Sequence, residues 1–329
     1  MSVMPPLPEH FNKDNVKLIA TDVDGTLLSP HHTLTTRTIN TLKALHSLRP
    51  DLRIVFATGR APSGVHALEN GGLSFLPHSL GVFLNGSVVL ADVDDLGFAP
   101  APGAPPHLVK DGKAVVLQKL MPVPLALRII ELAEEMGWTW VIYSYNDIIW
   151  HSDPASEGKW DAGTHLFAKI GEPTPLIEPL SSIRARVQSG DLGVSKIVVV
   201  GPPSVVDDVV RVLPTRIAET FPDKNEKPAL ARNIPEAVEV IIPRTTKATA
   251  LAFVAERMGI DLAKVLAFGD AQNDVEMISE CGMPVAMGNA QAPVKKAALS
   301  AGGFVTATNG EDGVAYVLEQ LFGLNEASH

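Results

Sequence analysis

The stretch Val16-Lys-Leu-Ile-Ala-Thr-Asp22-Val-Asp24-Gly-Thr-Leu-Leu28 decides how the chain is read. A short apolar run that stops abruptly at Asp22, Asp24 and Gly25 predicts a buried strand delivering two carboxylates to its carboxyl edge. While the chain stays extended, residues two apart point to the same side, so Asp22 and Asp24 are expected side by side. Two bare carboxylates that close repel each other. Either one takes a proton or a cation sits between them, and aspartate oxygens suit Mg2+. Taken alone, Asp-x-Asp-Gly-Thr also fits a solvated turn after a strand. An EF-hand calcium loop is excluded, because Leu27 stands at its glycine position and Thr33 at that of its bidentate glutamate.

Outward from that strand, Leu34, Ile39, Leu42, Leu45 and Leu48 follow at helical spacing. Leu52-Arg-Ile-Val-Phe-Ala57 reads as a second buried strand, broken by Thr58-Gly59-Arg60, and Pro62 suits the first turn of a following helix. Gly81-Val-Phe-Leu84 is a third, ending at Asn85-Gly86. This alternation argues for an α/β fold with a parallel sheet covered on both faces. From about residue 88 to 240 the rhythm changes. A proline-rich break runs from Pro100 to Pro106, Trp138 to Tyr145 alternates like a half-exposed strand, and Lys196 to Val200 forms another. The aromatic stripe of the first is expected to pack on its own helices. After residue 240 the first rhythm returns: Lys247 opens a helix through Leu251, Val254 and Met258, with Gly259 as its stop. Lys264-Val-Leu-Ala-Phe268 leads into Gly269-Asp270-Ala-Gln-Asn273-Asp274. Short strands at Met283 to Gly288 and Gly303 to Thr306 and a helix from about Gly313 to Phe322 complete the pattern. The expected organisation is a discontinuous core of residues 14–87 and 242–329, an inserted α+β unit over 88–241, and a flexible tail over 1–13.

Composition narrows the functional classes. At 329 residues the chain is long enough for two domains, and 46% hydrophobic with 19% charged residues is ordinary for a globular protein. A formal charge of -10 offers no general attraction to nucleic acid or anionic lipid, so any phosphate site must be positive locally. The single cysteine, Cys281, excludes an internal disulfide framework and reads as a buried structural thiol. No apolar run approaches the roughly 20 residues that cross a bilayer. A cytoplasmic monomer or homodimer without nucleic-acid or membrane partners is expected.

Asp22 and Asp24, Thr58, and Asp270 through Asp274 all fall where a strand is expected to end, which is where open parallel sheets bind ligands. Lys247 adds a separate hint. A cation at a helix amino terminus opposes the helix dipole by about 0.3 to 1 kcal/mol, a balance that a bound phosphate would reverse. Arg60 and Asn85 are candidates for the border of a substrate, or equally a helix-start arginine and a turn asparagine. The histidines, including His31 and His32, show no metal-ligand spacing and read as surface residues.

Asp22-Val-Asp-Gly-Thr-Leu27, Ala57-Thr-Gly-Arg60, Asn85-Gly86, Lys247, Gly269-Asp-Ala-Gln-Asn-Asp274 with Met277, and Ala286-Met-Gly-Asn-Ala290 together resemble, in order, the haloacid dehalogenase superfamily. More narrowly they are similar to its Cof-type phosphatases, over about residues 16 to 322. Ala248 departs from the glycine that usually follows the motif lysine, and the proline-rich loop suggests an enlarged cap. The resemblance implies a Rossmann-like three-layer core with an inserted C2B-like α+β cap. It also implies a Mg2+-dependent phosphomonoesterase acting on a small phosphorylated metabolite, such as a sugar phosphate. In that reading Asp22 is the nucleophile that becomes an aspartyl phosphate, and Asp24 the acid and base. Mg2+ is held by Asp22, the Asp24 carbonyl and Asp270. Thr58, Gly59, Lys247 and Asn273 bind the phosphoryl group, and Asp274 supports Lys247 or a metal-bound water. A phosphosugar mutase and a non-enzymatic phosphometabolite-binding regulator remain as alternatives.

Overall fold

The computed structural model describes residues 6–324 except 66–67, 69–71, 77–79, 93–100, 102–112, 146, 152–166, 168–171, 173 and 224–226. The proline-rich stretch from Pro100 to Pro106 therefore lies, apart from Ala101, outside the described residues. The chain divides into two compact units, one of residues 1–59, 65–118 and 246–329, the other of residues 60–64 and 119–245.

The first unit is built on strands β1 (Leu18–Thr21), β2 (Arg53–Ala57), β3 (Leu80–Phe83), β4 (Val88–Asp92), β5 (Lys113–Gln118), β12 (Val265–Gly269), β13 (Met283–Ala286) and β14 (Phe304–Val305). Their order is β14-β13-β12-β1-β2-β3-β4-β5, with parallel pairing from β14 to β3 and antiparallel pairing at β3-β4-β5. Leu18, Ile19 and Ala20 are buried, as are Val55, Phe56, Ala57, Leu266, Ala267 and Phe268. Strands covered on both faces have no reason to alternate, which is why these runs are apolar throughout. Each buried aliphatic or aromatic side chain contributes about 1.5 to 3 kcal/mol. Helices α1 (Thr36–Leu48) and α8 (Gly313–Phe322) pack on each other, and α5 (Lys247–Arg257), α6 (Val275–Glu280) and α7 (Ala292–Ser300) pack in series. The result is the Rossmann-like α/β core implied by the motifs. Strands β4 and β5 belong to its sheet, so the first unit runs on to Gln118 where the sequence rhythm had suggested a boundary near residue 88. Antiparallel edge strands carry turn and proline signals that look like the start of a new unit. Phe11, within the segment expected to be a loose tail, is buried.

The second unit is α+β. Strands β6 (Thr139–Ser144), β7 (Asp147–His151), β8 (Leu176–Glu178), β9 (Lys196–Val200), β10 (Ala229–Ile234) and β11 (Ala237–Ile241) form one sheet in the order β10-β11-β9-β6-β7-β8. One face packs Trp140, Ile142, Ile197, Val199, Val238 and Val240 against α2 (Val123–Glu135), α3 (Leu180–Ser189) and α4 (Pro203–Thr220). This is the expected packing of a sheet on its own helices. Yet β6 is not half exposed, because Val141 and Tyr143 on its other face are buried too. Tyr143 stands opposite Lys196, whose ammonium lies 4.3 Å from the phenol ring centre and donates to Glu239 Oε1 at 2.7 Å.

Candidate active site

Three adjacent strands end together. Thr21 of β1 is in register with Phe56 of β2 and Phe268 of β12, so Asp22, Thr58 and Asp270 leave neighbouring strands at the same carboxyl edge. The sheet's sequence order reverses about β1, which makes this edge a topological switch point.

Asp22 is buried, and its Oδ1 accepts from Lys247 Nζ at 2.5 Å. The same ammonium donates to Asp274 Oδ1 at 2.7 Å and is 1% exposed. Lys247 is aimed by the start of α5, where Thr246 Oγ1 accepts the Thr249 N–H and Thr249 Oγ1 accepts the Thr246 N–H. Asn85-Gly86 abuts that helix start: Gly86 has φ +99, and a Cβ there would run into the Thr246 carbonyl. Asp274 Oδ2 accepts the N–H groups of Asp270 and Ala271 at 2.9 and 3.0 Å. Asp274 therefore ties the loop after β12 to the lysine. Asp270 takes a hydrogen bond from Thr26 Oγ1 at 2.9 Å, and a Cβ on Gly25, which has φ +78, would collide with the Asp270 carboxylate. Asn273 Nδ2 donates to Asn85 Oδ1 at 2.8 Å, leaving the buried Asn273 Oδ1 without a partner. Asn85 N–H in turn donates to the Thr58 carbonyl at 3.1 Å, and Asn85 Oδ1 sits just outside the position a Gly59 Cβ would take.

One expectation fails. The strand ends at Thr21 and a turn spans Val23–Leu27, so the two-residue alternation does not carry through to Asp24. Asp22 points into the acidic cluster, whereas the Asp24 side chain is 36% exposed and bonds to His32 Nδ1 at 3.0 Å. Asp22 is crowded most closely by Asp270 and Asp274, the oxygens of the three lying within 4.8 Å of one another, and the charge of Asp24 acts on it as well. Arg60 is buried in the second unit, where its charge acts on Glu172 and Tyr143.

The electrostatics are those of surplus negative charge. Burial pushes the Asp22 carboxyl well above its usual value; Lys247 pulls it back, and Asp274, Asp270 and Asp24 add to the rise. Burial also pushes Asp270 up to about 6, helped by Asp274 and opposed by the bond from Thr26. For Lys247, burial alone would lower the ammonium, but Asp22 and Asp274 outweigh it and hold it above its ordinary value. Three carboxylates face one ammonium. An all-oxygen donor set with excess negative charge fits a hard divalent cation of the Mg2+ kind. Asp22 and Asp270 could hold it, since both Asp274 oxygens already accept hydrogen bonds.

Thr26 and His32 were given no role on sequence grounds. Thr26 lies inside the quoted motif, so its hydroxyl was in plain view; His32 carried no signal, because its contact with Asp24 depends on a loop bend. Cys281 is buried, as expected, with its thiol pushed up to about 12 by burial.

A chain with this sheet, this switch point and this acidic edge is an α/β protein with a candidate cation site at the carboxyl ends of its strands, and sequence comparison places it. The sequence profile of the haloacid dehalogenase-like hydrolases matches residues 19–97 and 107–318, and the chain belongs to that family. The Cof-type reading of its motifs stands with it. An uncharacterised hydrolase of Schizosaccharomyces pombe is 28% identical over 322 residues, covering 95% of this chain and 93% of that one. A protein of an Enterobacter species named HMP-PP phosphatase is 29% identical over 287 residues, covering 83% of this chain and 85% of that one. A solved structure from Thermotoga maritima shares the fold, with a TM-score of 0.68 at 23% identity over 93% of this chain and 97% of that one. No helix among the described residues is long and apolar enough to cross a membrane.

Proposed function

We propose that the protein is a Mg2+-dependent phosphomonoesterase acting on a small phosphorylated metabolite, a sugar phosphate being one candidate, through an aspartyl phosphate on Asp22. The observation that carries this reading is the buried Asp22 at the switch point, held by Lys247 at 2.5 Å beside Asp270. Phosphate-monoester hydrolysis is among the slowest uncatalysed reactions, and acid-base help supplies only about 10^2 to 10^4 of the acceleration needed. Charge neutralisation must do most of the rest.

In the first step an Asp22 oxygen bonds to phosphorus while the bond to the ester oxygen breaks, and Asp24 gives that oxygen its proton. In the second, water attacks phosphorus, Asp24 takes its proton, and the bond to Asp22 breaks to release phosphate. Lys247 carries positive charge to the transferring group, and Asp274 fixes its direction. Thr58, Gly59 and Asn273 supply hydrogen bonds to phosphoryl oxygens. Mg2+, held by Asp22, Asp270 and the Asp24 carbonyl, would neutralise phosphoryl oxygens. Arg60 and Asn85 are assigned no chemistry.

Purified protein assayed on a panel of phosphorylated sugars, nucleotides and cofactors is expected to release inorganic phosphate. Excess chelator should abolish release and added Mg2+ should restore it. Release that persists in chelator, or in Asp22→Asn, would sink the mechanism.

A further inference from the structure

We propose that Asn289 is a positioning residue for the cation site: its side chain clasps the turn after β1 to the loop after β13 and so keeps the Asp24–Gly25 peptide in place beside Asp270. The inference rests on the reading of Asp22, the Asp24 carbonyl and Asp270 as the groups that hold Mg2+. Asn289 follows β13, within Ala286-Met-Gly-Asn-Ala290, a motif to which no chemistry has been assigned. Its Nδ2 donates to the Gly25 carbonyl at 2.8 Å and its Oδ1 accepts the Asn309 N–H at 2.8 Å, so both ends of the amide are engaged. On either side of it the main chain grips the loop after β12. Met287 N–H donates to the Gly269 carbonyl at 3.0 Å, and Gln291 N–H to the Asp270 carbonyl at 2.9 Å. From the turn, Thr26 Oγ1 donates to Asp270 Oδ1 at 2.9 Å. These bonds close a ring that runs from Gly25 and Thr26 to Asp270, from Asp270 to Gln291, and through Asn289 back to Gly25. Two forces act against that arrangement. The oxygens of Asp22, Asp270 and Asp274 are crowded within 4.8 Å and repel. Gly25, at φ +78, takes either sign of φ at little cost, so the Asp24–Gly25 peptide is a soft link between the strand end and the site. A bond to the Gly25 carbonyl restrains the residue about which that peptide would turn. Ligands held in place before an ion arrives spare the ordering cost of binding it.

The test reads Mg2+ binding from thermal melts of the full chain, without substrate, across a Mg2+ series, with chelator as the metal-free reference. Asn289 is exposed, so Asn289→Ala leaves no buried cavity and deletes the bond to Gly25. Asn309→Ala is its counterpart. Asn309 is buried and its Nδ2 donates to the Leu28 carbonyl at 2.8 Å, so this change frees the far end of the same turn while its own N–H still meets Asn289. Asn289→Ala should raise the Mg2+ dissociation constant about tenfold, the lower end of what the outer partners of metal ligands carry. Asn309→Ala should lower the metal-free melting temperature at least as much and leave the Mg2+ constant close to the parent's. In the phosphate-release assay, the half-activating Mg2+ concentration should rise for Asn289→Ala by the factor seen in the melts. An unchanged or tighter Mg2+ constant in Asn289→Ala would overturn the proposal, and so would an equal weakening in both variants, which would mean a loosened turn and not a positioned site. A parent whose melting does not respond to Mg2+ removes the cation reading first and this proposal with it. A parent that binds Mg2+ but acts on no ester removes the phosphatase reading alone, and the melts of the two variants still decide the role of Asn289.

Discussion

Two buried lysines, one in each unit, show what separates a site from a structural ion pair. Lys247 faces Asp22 and Asp274 with Asp270 alongside, three carboxylates to one ammonium. Lys196, 2% exposed, faces Glu239 across β9 and β11 and lies over the Tyr143 ring, with Arg60 and Glu172 near enough to balance the count. In the second group, among the described residues, two carboxylates stand with two cations. In the first, burial drives the carboxyls upward and the neighbouring carboxylates add to the rise, while Asp22 and Asp274 drive the ammonium upward. Burial is common to both. Charge imbalance is not.

The sharpest way to break this comparison is at Asp22. Asp22→Asn should lower kcat on the order of 10^5-fold, as loss of a covalent nucleophile does. The fold should survive, because Lys247 keeps Asp274 and one crowded carboxylate is gone; circular dichroism with the phosphate-release assay reads both. Next in size is Lys247→Met. Removing the one ammonium that the described residues set against this buried acidic cluster leaves uncompensated charge at a cost of about 3 to 5 kcal/mol. Thermal melting should show that loss at neutral pH, and Mg2+ should restore more stability to this variant than to the parent. An equal Mg2+ response in both proteins would mean the carboxylates are not short of positive charge.

Much of this was readable from the chain alone, and for a physical reason. Parallel strands buried on both faces require unbroken apolar runs, so β1, β2 and β12 announce themselves, and each stops one residue before a candidate site residue: Asp22, Thr58 or Asp270. The turn at Val23–Leu27 was not readable. Alternation in a strand is a local rule, and nothing in Asp-Val-Asp says that it stops at Thr21. For the same reason Asp24 could not be assigned to His32, eight residues on. Arg60 was legible as following a strand end but not as a member of the second unit, since that depends on long-range packing with Glu172. The burial of both faces of β6 was hidden likewise, because Tyr143 and Lys196 are polar enough to imitate a solvated face.

Glu172 turns the neutral cluster into a measurable one. Burial pushes its carboxyl from 4.5 up to about 7, with Lys196 and Arg60 opposing the rise and Glu239 adding to it. Its folded value lies above its unfolded one. Its contribution to stability is therefore fully present below about pH 4.5 and is lost as pH rises through 7. Glu172→Gln stays uncharged throughout. It should match the parent near pH 4.5 and exceed it at pH 8 by up to roughly 3 kcal/mol, a figure that follows from the size of the shift. Denaturant titrations at the two pH values test it. A variant less stable than the parent at pH 8 would show that the carboxylate, not the carboxylic acid, is the form this unit prefers.

The smallest effect is expected where the second lysine is exchanged together with its partner. Replacing a buried ion pair by apolar residues of similar volume is often neutral or stabilising, whereas deleting one member is not. Lys196→Met with Glu239→Leu should therefore fall within about 1 kcal/mol of the parent or above it, provided the measurement is made near pH 5. At that pH Glu172 is protonated and does not miss the positive charge of Lys196. The single change Lys196→Met should cost more than the double change, because Glu239, 16% exposed, would keep its charge with too little water around it. No such pairwise exchange can spare the first cluster. Removing Lys247 together with Asp22 still leaves Asp270 and Asp274 crowded, so its imbalance persists until a cation answers it. If the double change at Lys196 and Glu239 proved as damaging as Lys247→Met, neutrality would not be what distinguishes the two lysines.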